Sequence, residues 1–194
     1  MIHIMRSKDE EKFESIARAT YALVERSGLS GLTMAEIART AGIATGTLYL
    51  YFPSKEDLIK SLYEQAKLAT SRRLNLGFDP SAPYRSRLRR VWVNLITNRV
   101  EHFQEALFQE QYYNSPWFSD ESRELSSRLM ANWITFIEEG KAKEILKDVP
   151  TPLLGATVMG SAREVANLVR SNTIVFDEAT TNMAFSLCWD GVRA

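Results

Sequence analysis

The chain has 194 residues, 45% of them apolar and 25% charged, and its 24 basic and 24 acidic side chains cancel to a formal net charge of zero. That length supports one or two small domains with a real core, and the even balance excludes a protein that holds nucleic acid by bulk charge alone. A single cysteine, Cys188, excludes an internal disulfide and any cysteine-based metal site, and no apolar run approaches the roughly 18 residues of a membrane span. The N-terminus lacks the apolar core of a signal peptide, so a cytoplasmic protein is expected. Met5-Arg6-Ser7-Lys8 leads directly into the first predicted helix, which leaves Met1 and Met5 as alternative starts.

Residues 8–27 predict that helix. Phe13, Ile16, Ala17, Thr20, Leu23 and Val24 form one stripe, and Asp9, Glu10 and Glu11 lie where the N-terminal dipole favours acid. Arg6, Lys8 and Lys12 near its start are either phosphate contacts or a solvated helix end. Thr33 then caps a second helix, with Glu36 three residues on as a capping box. Ile37, Ala38 and Ala41 share a face, and Gly42 follows where the chain needs a positive φ to leave the helix. Thr45 is expected to cap a third helix, whose Leu48 points back at the second. A small residue at the crossing (Ala38), a turn glycine (Gly42) and an inward anchor (Leu48) have the spacing of a helix-turn-helix, whose second helix enters the DNA major groove. Ser54 caps a fourth helix through Leu58, Leu62 and Ala66 to about Leu74, and Gly77, Pro80 and Pro83 mark a break.

The residues Thr33, Ile37-Ala38, Ala41-Gly42-Ile43, Gly46-Thr47-Leu48-Tyr49, Tyr51-Phe52 and Ser54-Lys55-Glu56 together resemble the TetR family of bacterial transcriptional repressors. The rest of the chain matches that family in length, helicity and order of elements. Two positions depart from the pattern. Ala44 stands where many relatives carry Ser, and Thr45 where many carry Lys, so the cap is expected at Thr45 and one DNA contact is expected to be missing. The resemblance implies DNA contacts from Thr33, Thr45, Gly46, Thr47, Tyr49, Tyr51 and Lys55. The residues themselves support those roles. Thr45, Gly46 and Thr47 are short enough to approach the groove floor, where Thr47 suits a base edge or a thymine methyl. Tyr49 and Tyr51 offer hydroxyls to phosphates or else are half-buried core tyrosines, and Lys55 sits at a helix start that suits a phosphate. No Arg or Asn occupies a reading position, so DNA shape is expected to supply part of the discrimination.

Downstream, Tyr84 to Arg99 is amphipathic through Leu88, Val91, Trp92, Leu95 and Ile96. Arg85, Arg87, Arg89 and Arg90 cluster near its start, as a nucleic-acid patch or a face of ion pairs. Glu101 to Tyr113 predicts a sixth helix, which Asn114-Ser115-Pro116 breaks. Ser119 caps a seventh to about Gly140, Pro150 and Pro152 open an eighth, and Asp177 starts a ninth. No strand pattern or repeat is present. The fold is read as all-α with about nine helices. Residues 1–52 form a three-helix DNA-binding domain with its motif at 33–52, and residues 53–194 form a helical effector-binding and dimerisation domain.

The middle helices concentrate Trp92, Phe103, Phe108, Tyr112, Trp117, Trp133 and Phe136 with Met130 and Met159. They line an apolar ligand cavity or form ordinary core, and the resemblance implies the cavity. Polar groups near that face are His102, Gln111, Asn167 and Arg163. Arg163, on the helix of Met159, fixes an anionic group of a ligand or makes a surface ion pair. Ala156, Gly160, Ser161 and Ala162, with Met183, Phe185 and Leu187, suit close approach of another helix. In the resemblance the last two helices pair with their twins, presenting two recognition helices to a palindromic site. Cys188 is either buried and inert or a redox sensor. His3 and His102 are the only histidines, no phosphate loop or metal-ligand set appears, and Glu138 and Glu139 face different ways, so neither enzyme activity nor a cofactor is expected. The chain therefore reads as a homodimeric, sequence-specific DNA-binding transcriptional repressor released by a small apolar or aromatic effector. The alternative is a structural or partner-binding DNA-binding protein of the same fold with no effector.

Overall fold

The computed structural model describes residues 8–194; His3, Arg6, the two alternative start methionines and the side chain of Lys8 lie outside the described part. The helices are α1 (Lys8–Ser27), α2 (Met34–Ala41), α3 (Thr45–Tyr51), α4 (Lys55–Leu74) and α5 (Tyr84–Glu101), followed by α6 (Phe103–Tyr113), α7 (Asp120–Ala142), α8 (Thr151–Arg170) and α9 (Glu178–Val192). A single 3-10 turn, Leu29–Gly31, joins α1 to α2. Among the described residues the β-type pairing is one isolated bridge, Leu146 to Arg193.

Most boundaries have a local cause. Thr33 Oγ1 accepts the Glu36 amide at 3.2 Å and caps α2. Gly42 ends it at φ 70°, ψ 30°, and the following amide of Ile43 returns to the Ala38 carbonyl at 3.0 Å. Ser54 Oγ accepts the Asp57 amide at 3.0 Å, Ser119 Oγ accepts that of Ser122 at 3.2 Å, and Asp177 accepts that of Thr180 at 2.8 Å. The expected cap of α3 is different. Thr45 is already helical, and the cap is Ala44, extended at φ −68°, ψ 141°, with no side-chain bond to the first turn. Alanine has no oxygen to offer, so the turn geometry rather than a cap sets this start. The sixth helix begins two residues later than its sequence pattern, because His102 at φ −121°, ψ 41° interrupts the run.

The chain separates into two compact units. One holds the chain up to Lys67 together with Gln104–Arg123; the other holds Leu68–Phe103 and Glu124–Ala194. In the first, Ile16, Leu23 and Val24 of α1 meet Ile37 and Ala38 of α2, Leu48 of α3, Leu58 and Leu62 of α4 and Phe108 and Tyr112 of α6. Helix α6 thus shares a core with the helix-turn-helix. In the second, Leu88, Trp92 and Ile96 of α5 pack with Phe136 and Ile137 of α7, Leu154, Val158, Ala162 and Ala166 of α8, and Phe185 and Cys188 of α9. Cys188 is buried and its thiol is pushed up by desolvation, as expected of an inert core cysteine.

One polar cluster ties α5 to α7 inside the second unit. Arg87 donates twice to the Glu139 carboxylate, at 3.1 and 2.7 Å, while its guanidinium lies 5.2 Å from the ring centres of both Tyr84 and Phe136. Those two rings stack at 4.5 Å, and the Tyr84 hydroxyl donates to the Phe136 carbonyl at 2.9 Å. Gly140 makes room for this stack: a Cβ there would meet the Tyr84 hydroxyl at 2.5 Å.

Candidate nucleic-acid interface

The helix-turn-helix is held from inside by Leu48 and Ala38, both fully buried. It is braced from behind by α1. Ser15 Oγ donates to the Ala41 carbonyl at 3.0 Å, and Arg26 donates to Glu36 at 2.6 Å. With Leu48 turned inward, the opposite side of α3 faces solvent. Tyr49 is 50% exposed and Leu50 86% exposed. Gly46 is exposed, and a Cβ at that position would meet nothing within 4 Å. Thr45 and Thr47 are half-buried at the start of the same helix, and Thr33 is exposed while serving as the α2 cap.

Tyr51 and Lys55 are partly engaged within the protein. The Tyr51 hydroxyl donates to the Asp9 carboxylate at 2.7 Å, and the Lys12 ammonium lies 3.5 Å from that hydroxyl and 5.7 Å above the ring. Lys12 and Tyr51 therefore share one spot at the first turn of α1. The Lys55 ammonium donates to the Leu32 carbonyl at 3.3 Å and sits 5.4 Å over the Trp117 ring.

Leu50 was not among the residues the motif singled out. A sequence signal for it exists. Two positions beyond an inward residue, a helix has turned by about 200°, so a leucine there must face outward. An exposed leucine on a recognition helix has the chemistry to meet a thymine methyl.

The candidate ligand residues divide between the two units. Phe108, Tyr112 and Trp117 belong to the first unit; Trp92, Phe103, Met130, Trp133, Met159 and Arg163 belong to the second. Phe108 and Tyr112 are buried in the first core, in ring contact with Tyr21 and Tyr63. Trp92 is fully buried against Phe185, and its indole N–H donates to Ser161 at 3.0 Å. Phe103 is flanked by the guanidiniums of Arg99 and Arg170. Trp133, Met130 and Met159 are half-buried. Arg163 is exposed and pairs with Glu164 at 3.1 Å, the surface ion pair that was its alternative. The arginines at the start of α5 likewise serve packing. Arg85 covers the Phe185 ring at 5.4 Å, Arg87 pairs with Glu139, and Arg89 donates to Asn182 at 2.8 Å.

A braced pair of short helices with one exposed, uncapped recognition helix defines a helix-turn-helix DNA-binding protein. Comparison with known proteins agrees and narrows the class. Residues 16–62 match the bacterial regulatory proteins of the tetR family, and residues 83–193 match the tetracycline-repressor-like C-terminal domain. The chain belongs to the TetR family of transcriptional regulators, which are not enzymes. An HTH-type transcriptional regulator of Haemophilus influenzae is 26% identical over 163 residues, covering 84% of this chain and 86% of that one. The crystal structure of a TetR-family regulator from Marinobacter aquaeolei superposes with a TM-score of 0.88 at 25% identity, over 97% of this chain and 99% of the other. An HTH-type transcriptional repressor of Rhodococcus jostii is 42% identical over 52 residues, 27% of this chain and 24% of its own. Among the described residues, no helix is long and apolar enough to cross a membrane.

Proposed function

We propose that this regulator is a homodimeric cytoplasmic repressor that binds a palindromic operator and leaves it when a small apolar or aromatic effector is bound. Residues 1–52 read DNA through Thr33, Thr45, Gly46, Thr47, Tyr49, Tyr51 and Lys55, and residues 53–194 hold the effector and the dimer seam. The observation that carries the DNA-reading half is the division of α3 into a fully buried Leu48 and an outward side bearing Gly46, Tyr49 and Leu50. The 42% identity to a repressor over 52 residues supports repression. Dimerisation is supported by the exposed Leu153 and Leu168 of α8 and the exposed Met183 and Leu187 of α9. Gly160 on α8 adds open space where a Cβ would stand. Phe185 is buried within its own chain and takes no part in that seam.

In this mechanism the effector favours a state in which the two recognition helices depart from the one-turn spacing of roughly 34–36 Å set by successive major grooves. It must bind that state more tightly than the DNA-bound one, since equal affinity shifts nothing. Selection of bound sequences from a random DNA pool at moderate salt tests the reading. An enriched palindrome is the expected result, and no enrichment from folded, dimeric protein, including protein refolded to strip any ligand, would sink it.

The packing of Trp92, Phe108 and Tyr112 into closed cores favours a second reading, an effector-less DNA-binding protein of the same fold. A thermal-shift screen separates the two, because only an effector pocket gives dose-dependent stabilisation.

A further inference from the structure

A tyrosine hydroxyl has a single proton to give. Tyr51, at the end of α3, gives its proton to the Asp9 carboxylate in the first turn of α1, at 2.7 Å. The Lys12 ammonium is 3.5 Å from the same hydroxyl oxygen, to which it donates, and stands 5.7 Å above the ring. Tyr51 therefore cannot donate to Asp9 and to a DNA phosphate at once.

A carboxylate and a phosphate are both oxyanions that accept from a hydroxyl at the same short distance. A phosphate oxygen that reaches the Tyr51 hydroxyl must take the place of the Asp9 oxygen, with Lys12 beside it. A phosphate arriving without that exchange would bring a second negative charge to one hydroxyl and one ammonium, and like charges that close repel even in water. Asp9 is exposed, so a change of its side-chain rotamer is enough to vacate the spot. The helix dipole favours acid throughout this turn, which also carries Glu10 and Glu11. That accounts for an acidic turn; it does not account for a carboxylate bonded to the tyrosine.

We propose that Asp9 is an internal stand-in for a DNA phosphate, occupying the spot formed by Tyr51 and Lys12 in the free protein and lowering DNA affinity by competing for it. The role rests on the phosphate contact proposed for Tyr51 and sets what that contact contributes. While Asp9 is present, docking trades one hydrogen bond to an oxyanion for another, so the Tyr51 hydroxyl adds little net affinity. The effect is the same on every sequence, because phosphates carry no base information.

The test is fluorescence anisotropy of the purified full chain with a labelled duplex of random sequence at low salt, where binding needs no operator. Asp9→Asn should tighten binding by about threefold or more. Glu11→Gln removes the same charge from the same turn at another exposed position, and should tighten binding by less than about twofold. Tyr51→Phe alone should change little, but added to Asp9→Asn it should reduce the gain to that of Glu11→Gln. Asp9→Ala repeats the comparison should Asp9→Asn fold poorly. Unchanged or weaker binding by Asp9→Asn would overturn the proposal, with weaker binding making Asp9 a support for Tyr51 instead. Equal gains from Asp9→Asn and Glu11→Gln, or a gain that survives Tyr51→Phe in full, would reduce the effect to overall charge and overturn it too. An enriched palindrome from the random pool with no Asp9 effect would sink this role alone; an Asp9 effect with no enriched palindrome would sink the operator reading alone.

Discussion

Leu48 and Leu50 are the same residue two positions apart, and α3 places one in the core and the other in solvent. Their substitutions should therefore separate stability from recognition. Leu48→Ala removes a fully buried side chain and should cost about 2–5 kcal/mol, read as a lowered urea midpoint at unchanged slope. Leu50→Ala should change stability by no more than about 0.5 kcal/mol. If the proposed interface is right, it should nonetheless alter the profile of selected DNA sequences; an identical profile would remove Leu50 from the reading surface. Thr47→Ala should change preference at one position per half-site in the same assay. Lys55→Ala should instead weaken binding to every sequence alike and flatten the salt dependence by about one counterion. A slope that does not move would mean that Lys55 serves only Leu32 and Trp117. Tyr51→Phe also loses the bond to Asp9, so its effect on binding is to be read beside its effect on stability.

Between elements, the α5–α7 contact inside the second unit concentrates two further effects. Gly140→Ala would press a methyl group onto Tyr84 and Leu146, and overpacking of this kind costs about 1–3 kcal/mol. Differential scanning calorimetry should register a lower midpoint; an unchanged one would show that the ring stack yields freely. The second effect is pH dependence. Hydrogen bonds from Arg87 first, and from Lys143 next, lower the Glu139 carboxyl from 4.5 to about 2. Because the folded value lies below the unfolded one, this group stabilises the fold above the ordinary carboxylate range. That contribution is lost as pH falls from about 4.5 through about 2. Glu139→Gln should lower stability at neutral pH and flatten its fall over that window; an acid limb as steep as that of the unsubstituted protein would refute the assignment. The tyrosine in the same cluster is shifted upward, chiefly by desolvation, so Tyr84 stays neutral across this range.

For the whole molecule, net charge of zero and an exposed apolar strip on α8 and α9 set the expectations. A neutral chain gains little from long-range attraction to DNA, so if the proposed dimer forms, presenting two recognition helices together should be the main source of operator affinity. Leu187, 78% exposed, is the natural probe of that pairing. Leu187→Glu costs little in a monomer but buries an unpaired charge in a dimer. Sedimentation should therefore show a shift to monomer with helicity retained, and affinity for a full palindrome should fall toward that for a half-site. A variant that remained dimeric would place the seam elsewhere.

Sequence alone determined what depends on residues close together in the chain. Thr33, Ser54, Ser119 and Asp177 act as caps because a side-chain oxygen and an amide a few residues on meet whatever the fold does. Gly42 needs its positive φ, and Ala38, Gly42 and Leu48 announce the motif, for the same local reason. The start of α3 was misplaced by one residue, because the return of the Ile43 amide to Ala38, not the chemistry of Thr45, decides where extended backbone gives way to helix. Only the tertiary structure decided which faces meet. The apolar stripe of α6 announces a buried side, yet nothing in its spacing says that Phe108 and Tyr112 close the core of the DNA-binding unit while Trp92 closes another. Nor does the spacing of α1 and α3 reveal that the Tyr51 hydroxyl ends on Asp9. Periodicity records that a side chain leaves water; its partner is chosen by long-range closure of the chain, which residue spacing does not encode.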